Sequence, residues 1–139
     1  TRAPQSIVGI PVERRVAALY MIHATQWGES QSSIPDGTTI GHYRVVYADG
    51  SDGLIPIVYG EDVRDWWTSG VEKPVTRGKM VWTWYTARTK PDDVCLCLYL
   101  CIWHNPHPQK TVTAVDYVST MTTAAPFCVA MTAREATPR

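Results

Sequence analysis

The sequence predicts an all-β domain, either a β-sandwich or a barrel, and two observations carry that prediction. Ten prolines and nine glycines interrupt the chain every few residues. Between them lie short runs rich in Val, Ile, Thr, Tyr and Trp, the residues enriched in strands. Regular short strands separated by turn residues are typical of a sandwich or barrel. Residues 1–139 are enough for one domain with its own core, so we expect a single domain.

The first candidate element, residues 12–27, is ambiguous. Glu, Arg, Ala, Leu and Met, all good helix formers, are frequent in it. Five side chains recur there at helical spacing: Val12, Val16, Leu19, Tyr20 and His23. The run ALYMIH also suits a strand that is buried on both faces. Taken alone, the residue pattern slightly favours a helix.

The later elements are predicted strands. Loops with turn-forming residues are expected at 28–39 and 68–78. The six strand segments are 42–48, 54–59, 79–87, 94–103, 111–119 and 127–134.

The segment 94–103, VCLCLYLCIW, is apolar on both faces of a strand. Alternation places its three cysteines together with Tyr99 on one face and the leucines on the other. We therefore expect it to be buried on both sides. Cysteines two apart on one strand are badly placed to bridge each other, and a metal cluster would require the strand to break. Buried free thiols are the preferred interpretation. A bridge to Cys128 stays open if its strand is adjacent.

Three stretches follow one another along the chain: IPVERRVAALYMIHATQWG, IGHYRVVYADGSDGLIPIVYGEDVRDWW and LYLCIWHNPHPQKTVTAVDYVS. In this order they resemble a β-sandwich module of large secreted or surface proteins of environmental bacteria. There it accompanies glycoside hydrolase and other polysaccharide-processing domains. The resemblance covers nearly the whole chain. It implies that residues 1–139 form a single antiparallel β-sandwich domain, a galactose-binding-like jelly roll. It also implies an extracellular or cell-surface location and a strand at 15–24 in place of the helix.

Modules of this kind carry further strand-forming sequence before the IPV segment, and here only TRAPQSIVG precedes Ile10. A jelly roll without its first strands would have open edges and an uncovered apolar face. We therefore expect a homo-oligomer, a second chain that completes the sandwich, or a rearranged edge.

Charge and aromatic composition narrow the class of partner. Thirteen basic side chains offset thirteen acidic ones, so the chain has no net positive charge to attract duplex nucleic acid or an anionic membrane. No apolar run reaches membrane-spanning length. We expect neither nucleic acid nor membrane as a partner. The chain has six Trp and seven Tyr but one Phe. Trp and Tyr each carry a polar group at the end of the ring system, so they suit recognition surfaces that are partly exposed to solvent.

The segment YGEDVRDWW contains the best candidates for ligand contact. Adjacent residues of an extended chain point to opposite sides, so Trp66 and Trp67 should not share one face. One should anchor the rim of the sandwich to the core. The other, with Arg64 and Asp65 beside it, should contact a ligand. A second pair, in MVWTWYT, forms either a flat stacking platform or core filler.

Two loops have a metal-site alternative. In ADGSDG, Asp49 and Asp52 are oxygen ligands that a calcium loop could use, but Asp and Gly are also what a hairpin turn requires. In WHNPHP, His104 and His107 have a spacing that zinc could use, but the two prolines favour a shaped rim loop. We expect no bound cofactor, with calcium as the minor alternative.

The favoured function is noncatalytic carbohydrate binding, as an accessory module of a larger polysaccharide-processing protein whose partner is a poly- or oligosaccharide. The alternative is a protein–protein assembly domain without a sugar site, because something must cover both faces of 94–103. Catalysis is not expected: a glycosidase needs two carboxyls flanking one bond, and Asp62 and Asp65 are expected at a turn and an ion pair. The predicted ligand-binding residues are Trp66, Trp67, Arg64, Asp65, Asp49, His104 and Asn105.

Overall fold

The described part of the chain folds into eight antiparallel strands, which confirms the all-β prediction. The computed structural model describes residues 4–29, 34–69, 73–87, 89–92 and 94–137. One 3-10 turn, Lys90–Asp92, precedes the sixth strand. The strands are β1 Ser6–Ala24, β2 Thr39–Tyr47, β3 Asp52–Val58, β4 Trp67–Ser69, β5 Lys79–Trp84, β6 Val94–His104, β7 Thr111–Ser119 and β8 Phe127–Glu135.

The first strand belongs to both halves of the molecule. Residues 6–15 of β1 pair with β7, which continues the row β3-β2-β7-β1. Residues 16–24 pair with β6 on one side and with β8 on the other. Leu96 of β6 pairs with both Trp67 and Trp84, so β4 and β5 flank β6 on opposite sides. The arrangement is consistent with an antiparallel β-sandwich whose two sheets share β1; the jelly-roll connectivity stays a prediction.

The helical interpretation of 12–27 is wrong. Leu19 pairs with Trp103 on one side and Ala133 on the other, and Met21 is paired on both sides in the same way. Both side chains are completely buried. Two neighbouring strands satisfy the backbone and cover the apolar face, and this tertiary gain exceeds the small difference in helix propensity.

Register shifts bend β1 where it passes between the sheets. Two shifts interrupt its pairing with β7, and they coincide with positive φ angles at Gly9 (73°) and Glu13 (52°). An extra residue in one strand of a pair kinks that strand and increases its twist. The bend lets one continuous strand serve two sheets.

The core is formed by the inward-facing side chains of both sheets. Its largest fully buried members are tyrosines, among them Tyr43, Tyr47 and Tyr99. As predicted, Cys97, Tyr99 and Cys101 share the inner face of β6. The expectation that both faces of 94–103 are buried is wrong, since Ile102 on the outer face is 48% exposed.

The cysteines are free thiols, as the sequence favoured. No disulfide joins the four of them. β1 lies between β6 and β8, with His23 opposite both Tyr99 and Cys128. Because the strand of Cys128 is not adjacent to β6, the alternative of a bridge is closed.

The two predicted loops are only partly covered. Residues 30–33 and 70–72 lie outside the described residues. The segment 68–78 begins with a strand instead of a loop, because β4 extends to Ser69. In the described part of the chain, no helix has the length and apolar character needed to traverse a membrane.

Candidate functional site

The two adjacent tryptophans have different environments, as their alternation predicts. Trp66 is partly buried and packs against the core, with its ring edge-to-face on Phe127 at 6.0 Å between centroids. Trp67 is 44% exposed and meets Trp66 in a second edge-to-face contact at 6.1 Å. Trp66 is thus the anchor, and Trp67 is the side chain available to a ligand.

Arg64 and Asp65 are buried, and other protein groups bond to both charged side chains, although Arg64 Nε has no hydrogen-bond partner among the described residues. The Arg64 guanidinium donates to both oxygens of Asp36, at 3.0 and 2.7 Å. The Asp65 carboxylate accepts from the backbone N–H groups of Gly28, at 2.8 Å, and Glu29, at 3.3 Å. This geometry favours a structural role for both side chains, which fix the segments beside the tryptophan pair.

Asp49 and Asp52, the candidate calcium ligands, are each paired with a cation. Asp49 accepts from the Ser51 N–H at 3.0 Å and meets the Lys110 ammonium at 2.7 Å. Asp52 accepts from Arg44 Nε at 2.6 Å. The plain turn is therefore the better interpretation of 48–53. No three His, Cys, Asp or Glu side chains converge on a common metal position within the ranges that the structure describes.

Asn105 organises the rim loop that follows β6. It is 7% exposed, and its Oδ1 accepts from the Tyr47 hydroxyl at 2.7 Å and from the His107 N–H at 2.9 Å. Its Nδ2 donates to the Val16 carbonyl at 2.8 Å. His104 is exposed beside it. The predicted shaped loop is present, and Asn105 supports it from inside.

The predicted ligand-binding residues fall into two separate groups. Trp67 pairs with Leu96 near the start of β6, whereas His104 ends the same strand. The eight residue-to-residue steps from Leu96 to His104 span about 26 Å of extended chain. Asp49 lies near the far end, because Lys110 joins its carboxylate and covers the ring of Tyr47. One small ligand cannot contact both groups.

The tryptophan side chains of β4 and β5 share the outer face of β6. Trp67 and Trp84 are both directly opposite Leu96, and Trp82 is directly opposite Leu98. Directly paired residues project from the same side of a sheet. Trp82 and Trp84 are 43% and 58% exposed, so the core-filling interpretation of this pair is wrong. We call these five residues the aromatic face.

A cavity of about 350 Å³ opens between the edge of β3 and the end of β6. Its volume lies in the range of small-molecule sites. Strand β5 begins opposite Leu100, so its pairing with β6 does not extend to Cys101 and the residues that follow. Much of the lining is apolar and comes from both sheets: Met21, Leu54, Ile55, Pro56, Ile102 and Trp103.

One wall of the cavity is an ion pair. Arg77 Nε and Nη2 donate to the two carboxylate oxygens of Asp62, at 2.7 and 2.6 Å. The Val58 N–H and the Cys101 thiol donate to the same carboxylate, at 2.8 and 3.1 Å. Burial acts to raise the pKa of Asp62, but these hydrogen bonds outweigh it and hold the pKa below its usual value. The expected ion pair of Asp62 is confirmed.

Cys101 is not activated as a nucleophile by this arrangement. Burial raises the pKa of its thiol strongly, and the neighbouring Asp62 carboxylate raises it further. The thiolate is the reactive form, and cationic neighbours normally stabilise it. The protonated Cys101 thiol instead donates a hydrogen bond to the Asp62 carboxylate, which suits a wall of a binding cavity.

His23 lines the cavity and is 2% exposed. Its Nδ1 lies 3.0 Å from the Tyr43 hydroxyl. Burial lowers its pKa to about 4, against the opposing effect of Asp62, so the ring is neutral at pH 7. Its Nε2 is buried and has no hydrogen-bond partner within the described ranges.

Sequence reasoning missed this cavity. His23, Arg77 and Cys101 are far apart in the chain, and strand order alone brings them together. The available signal was a histidine inside the apolar run ALYMIH, on the inward-facing side of the alternation. Comparisons with protein-family models, curated proteins and solved structures give no match for this chain.

Proposed function

We propose that the protein is a noncatalytic carbohydrate-binding module and that the aromatic face is its binding surface. The observation that supports this most directly is the row Trp67–Leu96–Trp84, in which two exposed tryptophans flank a leucine across three strands. Indole rings present large flat apolar surfaces together with an N–H donor. Such surfaces stack on the apolar faces of sugar rings.

The dimensions of the aromatic face suit a chain of sugars better than a single one. Neighbouring strands lie about 4.8 Å apart, which puts the backbones of Trp67 and Trp84 about 10 Å from each other. Trp82 lies two residues from Trp84 along β5, a further separation of about 7 Å. The tryptophans on β5 are held by its pairing with β6, so the ligand would not have to order a loop on binding.

The setting of the module belongs to the same proposal. A role as accessory domain of a larger polysaccharide-processing protein, at the surface of a bacterial cell or outside it, rests on the resemblance of the three sequence stretches. The neutral net charge is compatible with an uncharged polysaccharide, since stacking on indole rings needs no ionic contact.

Affinity electrophoresis on gels containing different polysaccharides tests the proposal, after a glycan array has identified the sugars to use. We expect retention of the native chain, and loss of retention in Trp67→Ala and Trp84→Ala. Trp27→Ala is the matched control, because Trp27 is 55% exposed but lies outside the aromatic face. If the two aromatic-face variants migrate like the native chain on a retaining gel, the assignment is wrong.

A second candidate function is assembly with another chain through β5. All six residues of this strand are exposed, and among the described strands it pairs with β6 alone. An unpaired apolar edge is a template for a further strand, which native proteins normally protect with charge or proline. A second copy or another chain that pairs with β5 would extend the sheet.

Light scattering distinguishes assembly from sugar binding. Assembly predicts a mass above 15.5 kDa at micromolar concentration. It also predicts a return to the monomer mass in Val81→Lys, because a charge on an edge strand opposes pairing. Sugar retention by a monomeric native chain would favour the first function.

A further inference from the structure

We propose that the cavity between β3 and β6 is a second binding site, for a small uncharged apolar molecule that carries one hydroxyl group, such as a phenol. The site is separate from the aromatic face, because none of the five aromatic-face residues lines the cavity. It does not depend on the carbohydrate proposal. Size, an unpaired nitrogen and charge balance each contribute to the assignment.

Size and lining fit an apolar body. The cavity holds about 350 Å³, and Leu54, Pro56, Ile102 and Trp103 form apolar walls. Leu54 and Ile102 are 61% and 48% exposed. Apolar surface left open at a cavity mouth is where burial by a ligand gains free energy.

The hydroxyl requirement comes from His23. The Tyr43 hydroxyl forms a hydrogen bond with His23 Nδ1 at 3.0 Å. Nε2 is therefore the ring nitrogen available to a ligand. No partner for Nε2 exists among the residues that the structure describes, and the ring is 2% exposed. A buried polar atom without a hydrogen bond is costly, so a ligand that supplies one is favoured.

A hydroxyl group satisfies Nε2 in either tautomer of the neutral ring. If the Tyr43 O–H donates to Nδ1, Nε2 carries the proton and donates to the ligand oxygen. If Nδ1 carries the proton, Nε2 is an acceptor and the ligand O–H donates to it. A carbonyl oxygen can only accept a hydrogen bond, so it meets the first of these cases only.

Charge balance favours an uncharged ligand. Asp62 receives two hydrogen bonds from Arg77, and Arg77 also meets Glu61 at 3.1 Å. Arg77 therefore compensates the charge of the buried Asp62, while the Glu61 side chain is 40% exposed and its charge is screened by solvent. Lys79 lines the opening but is exposed to solvent. A charged ligand group in the interior would lose its hydration without a countercharge.

A matched pair of probes, 4-ethylphenol and ethylbenzene, tests the site, because the pair differs only in the hydroxyl. Nuclear magnetic resonance titration follows both binding and the ring nitrogens of His23. We expect 4-ethylphenol to bind about tenfold more tightly than ethylbenzene and to shift the Nε2 resonance, since one hydrogen bond to a buried group is involved. Equal affinities with an unchanged Nε2 resonance would show that water satisfies the ring and would overturn the proposal.

Three variants locate the binding. His23→Leu should bind both probes equally, having lost the preference for the phenol. Leu54→Trp changes an exposed residue at the mouth, so it should fold and bind both probes more weakly. Trp84→Ala, on the aromatic face, should bind like the native chain. Phenol binding that survives Leu54→Trp or is lost in Trp84→Ala contradicts the site, and these two variants decide the matter even if His23→Leu does not fold.

Discussion

Arg77 forms a bidentate hydrogen bond with Asp62, one nitrogen to each carboxylate oxygen, and the two side chains differ sharply in solvent exposure. The Asp62 side chain is 3% exposed, whereas that of Arg77 is 51% exposed. Backbone bonds from Arg77 and Gly78 to the Glu61 carbonyl, at 2.8 and 2.7 Å, hold the same two segments together. A solvent-facing arginine thus neutralises a buried carboxylate where the 60–62 turn meets the approach to β5.

Removal of that arginine should destabilise the fold. Arg77→Gln leaves a buried carboxylate without its cation, and we expect a loss of about 2 kcal/mol in the free energy of unfolding, less than for a fully buried pair because Arg77 is half exposed. Urea denaturation measures it. Arg14→Gln breaks the pair with Glu135, whose partners are both exposed, and should change stability by less than about 0.5 kcal/mol. Equal effects of the two substitutions would contradict the role of burial.

Stability should fall between pH 6.5 and pH 4 because of His23. Its pKa is lowered from 6.5 to about 4 in the folded state, chiefly by burial. Above pH 6.5 the ring is neutral in both states. Between the two values the unfolded chain takes up a proton that the folded chain does not, so acid favours unfolding by up to about 3 kcal/mol.

The free energy of unfolding measured at several pH values checks this slope. In His23→Gln the part of the slope due to this ring should disappear, while His104→Gln, altered at an exposed histidine, should retain it. The depressed pKa values of Asp36 and Asp62 act lower, since the stability they contribute is lost as pH falls below their usual value of 3.8. A native-like slope in His23→Gln would show that the ring is not the cause.

Alanine at the two adjacent tryptophans should give opposite results. Trp66→Ala removes a side chain packed on the core and on Phe127, and should cost about 3–5 kcal/mol of stability. Trp67→Ala removes a half-exposed side chain and should unfold close to the native midpoint. Thermal denaturation separates the two. Equal losses of stability would mean that Trp67 also acts as an anchor.

Asn105 should be needed for stability but not for sugar retention. Its amide bonds to Tyr47, Val16 and His107, so Asn105→Ala leaves buried polar groups unpaired, at a cost of about 2–3 kcal/mol. His104→Ala, next to it but exposed, should be nearly neutral. Urea denaturation and affinity electrophoresis on the same samples test both halves. A loss of retention at unchanged stability would instead place Asn105 in the binding surface.

The sequence predicted the strands better than their surroundings. Five of the later segments match the structure within a few residues, because alternation and turn residues are local signals. The predicted strand at 79–87 starts correctly but ends at Trp84. For residues 12–27 local preference indicated the wrong element, since the decisive partners, β6 and β8, are remote in the chain. The sequence identified the need for one anchor and one exposed tryptophan, and the contact with Phe127 resolved which was which.

Candidate ligand residues were harder to predict because exposure is a tertiary property. Arg64, Asp65 and Asn105 have the side chains of a binding site, yet each is buried by neighbours distant in sequence. The sequence pattern of Trp82 and Trp84 also fits a pair that fills the core, and it is the edge position of β5 that exposes them. His23 acquired its significance from the Tyr43 hydroxyl on another strand.

Because β1 belongs to both sheets, the order in which the chain can fold is restricted. Ser6 pairs with Val118 and Tyr20 with Ile102, and within the described residues the neighbours of the first strand are β6, β7 and β8. By contrast, β2 pairs with the next strand, β3, and β5 pairs with the next strand, β6. Domains dominated by such remote pairings fold on the order of milliseconds to seconds. On the ribosome, β1 must therefore wait with its apolar face unpaired until β6–β8 have emerged, and the protein is most vulnerable to aggregation during that interval.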